Sequence, residues 1–125
     1  QVYSFGDASG IVRDNAIGSG TYFEDIDSGC NAPTWGALTW GAEFPDGGDI
    51  KFSIALANER DKLSDANWVM IATAPDQNGP RSVFERLDAL GIQSRQFIRV
   101  KAEIQRGTGG VSPILSRFSL LWSCQ

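Results

Sequence analysis

The chain has 125 residues, 42% of them hydrophobic and 21% charged, a balance that excludes extensive disorder and allows one domain, residues 1–125, with a buried core. Its formal charge of −4, with a sequence pI of about 4.7, makes nucleic acid and anionic lipid poor partners, and no Lys/Arg cluster offsets it. No apolar run approaches the roughly 18 residues that a membrane-spanning helix needs, so membrane insertion is not expected.

Residue 1 is Gln, with no charged-then-apolar leader before it, and this reads as the mature end left after signal-peptide removal. Weak strands are expected at 2–5 and 20–27. A stronger one covers 35–44, where Leu38, Trp40, Ala42 and Phe44 share one face and Ala37, Thr39, Gly41 and Glu43 the other. The run Pro45-Asp46-Gly47-Gly48-Asp49 carries the chemistry of a tight hairpin. In 50–57, Phe52, Ile54 and Leu56 point inward while Lys51 and Ser53 point out. A long charged loop follows at 58–67, then a weaker strand at 68–74 and a polar Gly/Pro loop at 75–80.

Residues 82–90 fit either a short helix ending at Gly91 or a strand and turn. Ser82 with Glu85 three residues later resembles a capping box and keeps the helix open. The cleanest half-buried strand is 95–106, with Ile98, Val100, Ala102 and Ile104 alternating with Arg99, Lys101 and Glu103. Gly107-Thr108-Gly109-Gly110, before Val111, reads as a second hairpin turn. It lacks the Lys-Ser/Thr of a phosphate loop. In 114–124, Phe118, Leu120, Trp122 and Cys124 share the inward face. Seven to nine short strands at this spacing predict an all-β antiparallel sandwich of the jelly-roll type.

Two cysteines and no histidine leave too few soft ligands for zinc or an iron–sulfur cluster. The pair is either one long-range disulfide, Cys30 to Cys124, or two buried thiols. The disulfide, the expected state, would fasten the last strand to the 27–31 turn and place the chain in an oxidising compartment, outside the cell or on its surface.

Without histidine, a G-x-S-x-G elbow or an S-x-x-K pair, acid–base or nucleophilic chemistry would rest on carboxylates alone, and an enzyme is not expected. A carboxylate-dependent glycosidase is the weakest of the functional readings. Asp25 and Asp27, with Asp46, Asp49 or Asp7, are candidate calcium ligands, although a solvated strand face gives the same pattern. No other cofactor is implied. Trp40 and Trp122 alternate with core residues and read as structural. Trp35, beside Pro33 and Gly36 and on the other parity, is the leading candidate for an exposed binding aromatic, followed by Tyr22 and Trp68. Arg60 and Lys62 in the charged loop are further partner-binding candidates.

The order Asp27-Ser28-Gly29, Leu38-Thr39-Trp40, Pro45-Asp46-Gly47, Ile50-Lys51-Phe52, Asn67-Trp68, Arg95-Gln96-Phe97-Ile98-Arg99-Val100 and Ser112-Pro113-Ile114-Leu115 resembles small jelly-roll or discoidin-like modules of bacterial exported and surface proteins. The resemblance spans about residues 20–123. It implies a non-catalytic module that binds glycans or packs into a surface structure. In architecture the chain is also similar to the globular chain of a two-chain pilus, of the geopilin second-domain type. The expected function is an exported structural subunit of a surface filament or appendage, acting through protein contacts or self-assembly. The alternative is a carbohydrate-binding sandwich, with calcium assisting.

Overall fold

In a computed structural model of the chain, residues 2–5, 20–45, 47–75, 80–110 and 112–124 are described, those at 2–5, 116 and 117 by their backbone alone. Eight strands are present among them: β1 Val2–Phe5, β2 Gly20–Asp27, β3 Thr34–Glu43, β4 Asp49–Ala57, β5 Val69–Ala74, β6 Arg81–Ser82, β7 Phe97–Gln105 and β8 Ile114–Ser123. A 3₁₀ turn spans Arg60–Asp65, and one α-helix, α1, spans Val83–Leu90.

The antiparallel pairs β4–β5, β3–β6, β2–β7 and β1–β8 are nested, as in one long hairpin folded at the β4–β5 end. Rolling that hairpin up brings β7 against β4 and β8 against β3. The result is two four-stranded antiparallel sheets, β1-β8-β3-β6 and β2-β7-β4-β5, the strand order of a jelly roll. This topology corrects the expected hairpins at 45–49 and 107–110. The strands they join lie in different sheets, so both segments cross from one sheet to the other. Only β4 and β5, among the described strands, are consecutive and bonded to each other. The 58–67 loop that joins them is partly ordered as the 3₁₀ turn, with Leu63 fully buried beneath it.

The core lies between the sheets and is built as alternation dictates. β7 keeps strict period 2, burying Ile98, Val100, Ala102 and Ile104 against Ile50, Phe52 and Ile54 of β4 and Leu38, Leu115, Phe118 and Leu120 of the facing sheet. Trp40 stacks on Phe52 with ring centroids 4.5 Å apart, and Trp122 is buried, so both have the structural role read from their parity. Two alternations break. Ser53 and Ala55 face away from the core yet are buried. They lie on a central strand, where Ser53 is opposite Lys101 and Met70 and Ala55 is opposite Arg99, and the longer side chains shade them. In β3 the register with β8 shifts between Trp35 and Leu38, the mark of a bulge, and residues three apart both turn inward.

Residues 82–90 resolve as the helix. The Ser82 hydroxyl accepts from the Glu85 N–H at 3.1 Å, and Gly91 ends α1 at φ 68°, its N–H and that of Ile92 returning to Asp88 and Leu87. Val83 and Leu87 are the buried face of α1, which lies against β3.

Cys30 and Cys124 are joined, with Cα atoms 5.8 Å apart at a sequence separation of 94. Cys30 follows β2 and Cys124 follows β8, so the bridge ties the two sheets together at one end. Cys124 is exposed, contrary to the inward position that alternation from Trp122 assigns it, because β8 and its pleat end at Ser123. In the chain-entropy account a loop of this length is worth about 4–5 kcal/mol. Replacing both cysteines by serine is therefore expected to lower unfolding stability by about 4 kcal/mol, read by urea denaturation.

Gly48 holds φ +83°, and a Cβ there would collide with the backbone of Gln105 and Gly107 where the β3–β4 crossing passes the end of β7. Gly29, at φ +80°, has open space around it. Gly29→Ala should cost about 1 kcal/mol of left-handed strain, and Gly48→Ala about 3 kcal/mol, since backbone must also move. Equal melting temperatures for the two variants would contradict this account of the crossing.

Candidate functional site

The outer face of the β2-β7-β4-β5 sheet brings together two exposed aromatics, Phe23 and Trp68; a third, Phe84, lies on α1. One row across it reads Phe23, Lys101, Ser53, Met70 by strand pairing, and the next reads Asp25, Arg99, Ala55. The small residues of β4 form the floor. Phe23 is 53% exposed, Trp68 39% and Met70 41%, large values for rings and thioethers in a small domain. The Phe23 and Trp68 rings meet with centroids 5.9 Å apart, tilted by 33°. The Lys101 ammonium sits 4.2 Å above the Trp68 ring, and the Arg99 guanidinium lies 5.8 Å from the Phe23 centroid.

Paired charges fix these cations. Arg99 donates through Nε at 2.7 Å and through Nη2 at 3.0 Å to the two oxygens of Asp25, which holds its guanidinium even more firmly protonated. Lys101 Nζ is 3.3 Å from Glu103. At the end of the same face, Asp27 accepts from Gln96 Nε2 at 2.9 Å and from the Gly29 N–H at 2.8 Å, and these bonds hold its carboxyl below the usual aspartate range. Arg60, on the 3₁₀ turn, lies 5.4 Å from the centroid of the Phe97 ring. Lys62 is exposed on the same turn.

Two predicted site residues, Trp35 and Tyr22, stand elsewhere than expected. Trp35 is 1% exposed rather than open to solvent. The bulge in β3 turns it inward, where it packs against Trp122 at 5.6 Å and donates its indole N–H to the Arg95 carbonyl at 3.0 Å. Tyr22 is half-buried against the core, because it shares the inner face of β2 with Ile26. Asp25 and Asp27 do share one face, but both carboxylates are taken up by protein donors. No group of three potential metal ligands occurs among the described residues. Asp7 and Asp46 lie outside the described residues, as do Val111 and most of the 75–80 loop.

Trp68 remains of the expected aromatics. Phe23, Met70, Arg99 and Lys101 were the residues that sequence reasoning passed over. The signal for Phe23 was present: Ile26 sets the inner parity of β2, and Phe23 falls on the other one with Asp25 and Asp27. Met70 depends on a register shift in the β4–β5 pair that sequence does not show.

β2, at the edge of this sheet, turns Glu24 toward the inner side, between Tyr22 and Ile26. An inward-pointing charge on an edge strand opposes edge-to-edge pairing with another sheet. A comparison of the chain with protein-family models, curated proteins and solved structures finds no match.

The two tryptophans separate cleanly in a stability measurement. Trp35→Ala empties a buried site and strands the Arg95 carbonyl, for an expected loss of about 3–5 kcal/mol. Trp68→Ala removes a surface ring and is expected to cost about 1 kcal/mol or less. Similar losses for both would contradict the assignment of Trp68 to a binding surface.

Proposed function

We propose that this domain is a non-catalytic docking module, exported to the cell surface and built into a filament or appendage, that engages a second polypeptide through the outer face of the β2-β7-β4-β5 sheet. The observation that carries this reading is the contiguous cluster of Phe23, Trp68 and Met70, with Arg99 and Lys101 fixed beside it. Aromatic residues, methionine and arginine are the types enriched at the cores of protein interfaces. The cations are held by intramolecular pairs before a partner arrives, so docking would require little ordering of long side chains.

Export is supported by the disulfide, a linkage favoured in oxidising compartments. No described helix is long and apolar enough to cross a membrane. A sugar-binding role at the same face is the second reading, favoured by the two exposed rings beside fixed Asp–Arg and Lys–Glu pairs. It is weaker because Lys101 already covers one face of Trp68, which a pyranose ring would need.

The test is light scattering on native surface material. The domain should elute in an assembly larger than the 13.5 kDa chain. Phe23→Ser with Trp68→Ser should release it as a monomer of unchanged melting temperature. A monomer in native material would refute the docking module. Glycan-array binding abolished by Trp68→Ala would instead establish the second reading.

A further inference from the structure

A separate cleft opens where the edges of the two sheets part, between β5 on one side and β6 with α1 on the other. Its volume is about 480 Å³, within the range of small-ligand sites. Met70, Ile71 and Pro80 line it together with Arg81, Ser82, Glu85, Arg86 and Ala89. Two guanidinium groups against one carboxylate give the lining a charge of +1, on a chain whose total is −4.

Neither arginine is ion-paired among the described residues, although Glu85 stands in the same lining. Arg86 donates Nε to the Met70 carbonyl at 3.0 Å, which anchors the guanidinium at the β5 edge and leaves its Nη groups for other acceptors. Arg81 Nε is buried, with no hydrogen-bond partner among the described residues. A buried donor without an acceptor is uncommon in folded proteins, and a ligand oxygen is one way to satisfy it. Guanidinium forks match the paired oxygens of carboxylates and phosphates.

We infer that this cleft is an oxyanion site, taking a carboxylate or phosphate carried on a small organic body through Arg81 and Arg86. The volume exceeds what a bare ion fills, and the Met70–Ile71–Pro80 side offers apolar contact to the rest of such a ligand. The cleft shares only Met70 with the proposed docking face, and its test does not depend on assembly.

Arginine Nε–H signals in proton–nitrogen correlation spectra read the site directly. The 125-residue domain is titrated at constant ionic strength with glucuronate, with inorganic phosphate, and with glucose as the neutral control. Saturable shifts of the Arg81 and Arg86 signals are expected with glucuronate, phosphate or both, and none with glucose. Saturation by only one of the two anions tells carboxylate from phosphate. Arg81→Gln should weaken binding about tenfold or more, and Arg86→Lys, which keeps charge but loses the fork, should weaken it less. Shifts that never saturate, that glucose reproduces, or that survive Arg81→Gln with its melting temperature intact would overturn the site. Asp76 is close in sequence, so Asp76→Asn is titrated in parallel. Binding by that variant alone would mean that the chain fills the cleft with its own carboxylate, and would also overturn the proposal.

Discussion

The last strand of the chain, β8, is not an edge but an inner strand of its sheet, between β1 and β3. Its residues Leu115, Phe118, Leu120 and Trp122 are buried, and the ladders of β1 and β3 both close on it. A strand whose end is not held can fray from that end. Here fraying would open two ladders and expose the middle of the core. The disulfide one residue beyond β8 removes that route, since Cys124 is held to the end of β2 in the opposite sheet. Beneath it, Trp35 and Trp122 close the same end of the sandwich, and Trp35 is tied to the chain just before β7 through the Arg95 carbonyl. Covalent closure and aromatic packing therefore act together at the end of the sandwich where β8 leaves its sheet.

The rigidity of that frame bears on the outer face of the other sheet. β7 and β4 are its inner strands, and their inward residues are fixed by the core. Because side chains alternate, the positions of Arg99, Lys101, Ser53 and Ala55 on the opposite face follow from the same register. The small β4 residues let the flanking rings of Phe23 and Trp68 approach across the sheet, and a large residue at either position would separate them. The proposed docking surface is thus a by-product of the register that builds the core, which places it on strands rather than on a loop.

Sequence alternation carried most of the fold. β7 shows the predicted inward and outward residues without exception, and β1 and β2 occupy the expected spans. Alternation reports which residues share a face, but it does not say which sheet the next strand joins. The Gly-rich turns at 45–49 and 107–110 have the same chemistry whether they reverse a chain within a sheet or carry it across the core. Parity also fails at a bulge, and one extra residue in β3 was enough to exchange Trp35 from a solvent face to the core. Of the site, Trp68 was legible as an exposed ring. Its surroundings were not, because they are assembled from three further strands whose neighbours are distant in sequence.

The distribution of charge gives the molecule a direction. Among its 11 basic residues, Arg99 and Lys101 stand on the outer face, Arg60 stands at its end, and Arg81 and Arg86 line the cleft. The cations of the face are paired with Asp25 and Glu103 and add little long-range field, whereas those of the cleft have no such pair among the described residues. On a chain of net charge −4, the two guanidinium groups of the cleft are therefore placed to attract a small anion. Met70 lies on the outer face and in the cleft lining alike. An oxyanion ligand held between Arg81 and Arg86 would therefore sit against Met70, at the rim of the aromatic face.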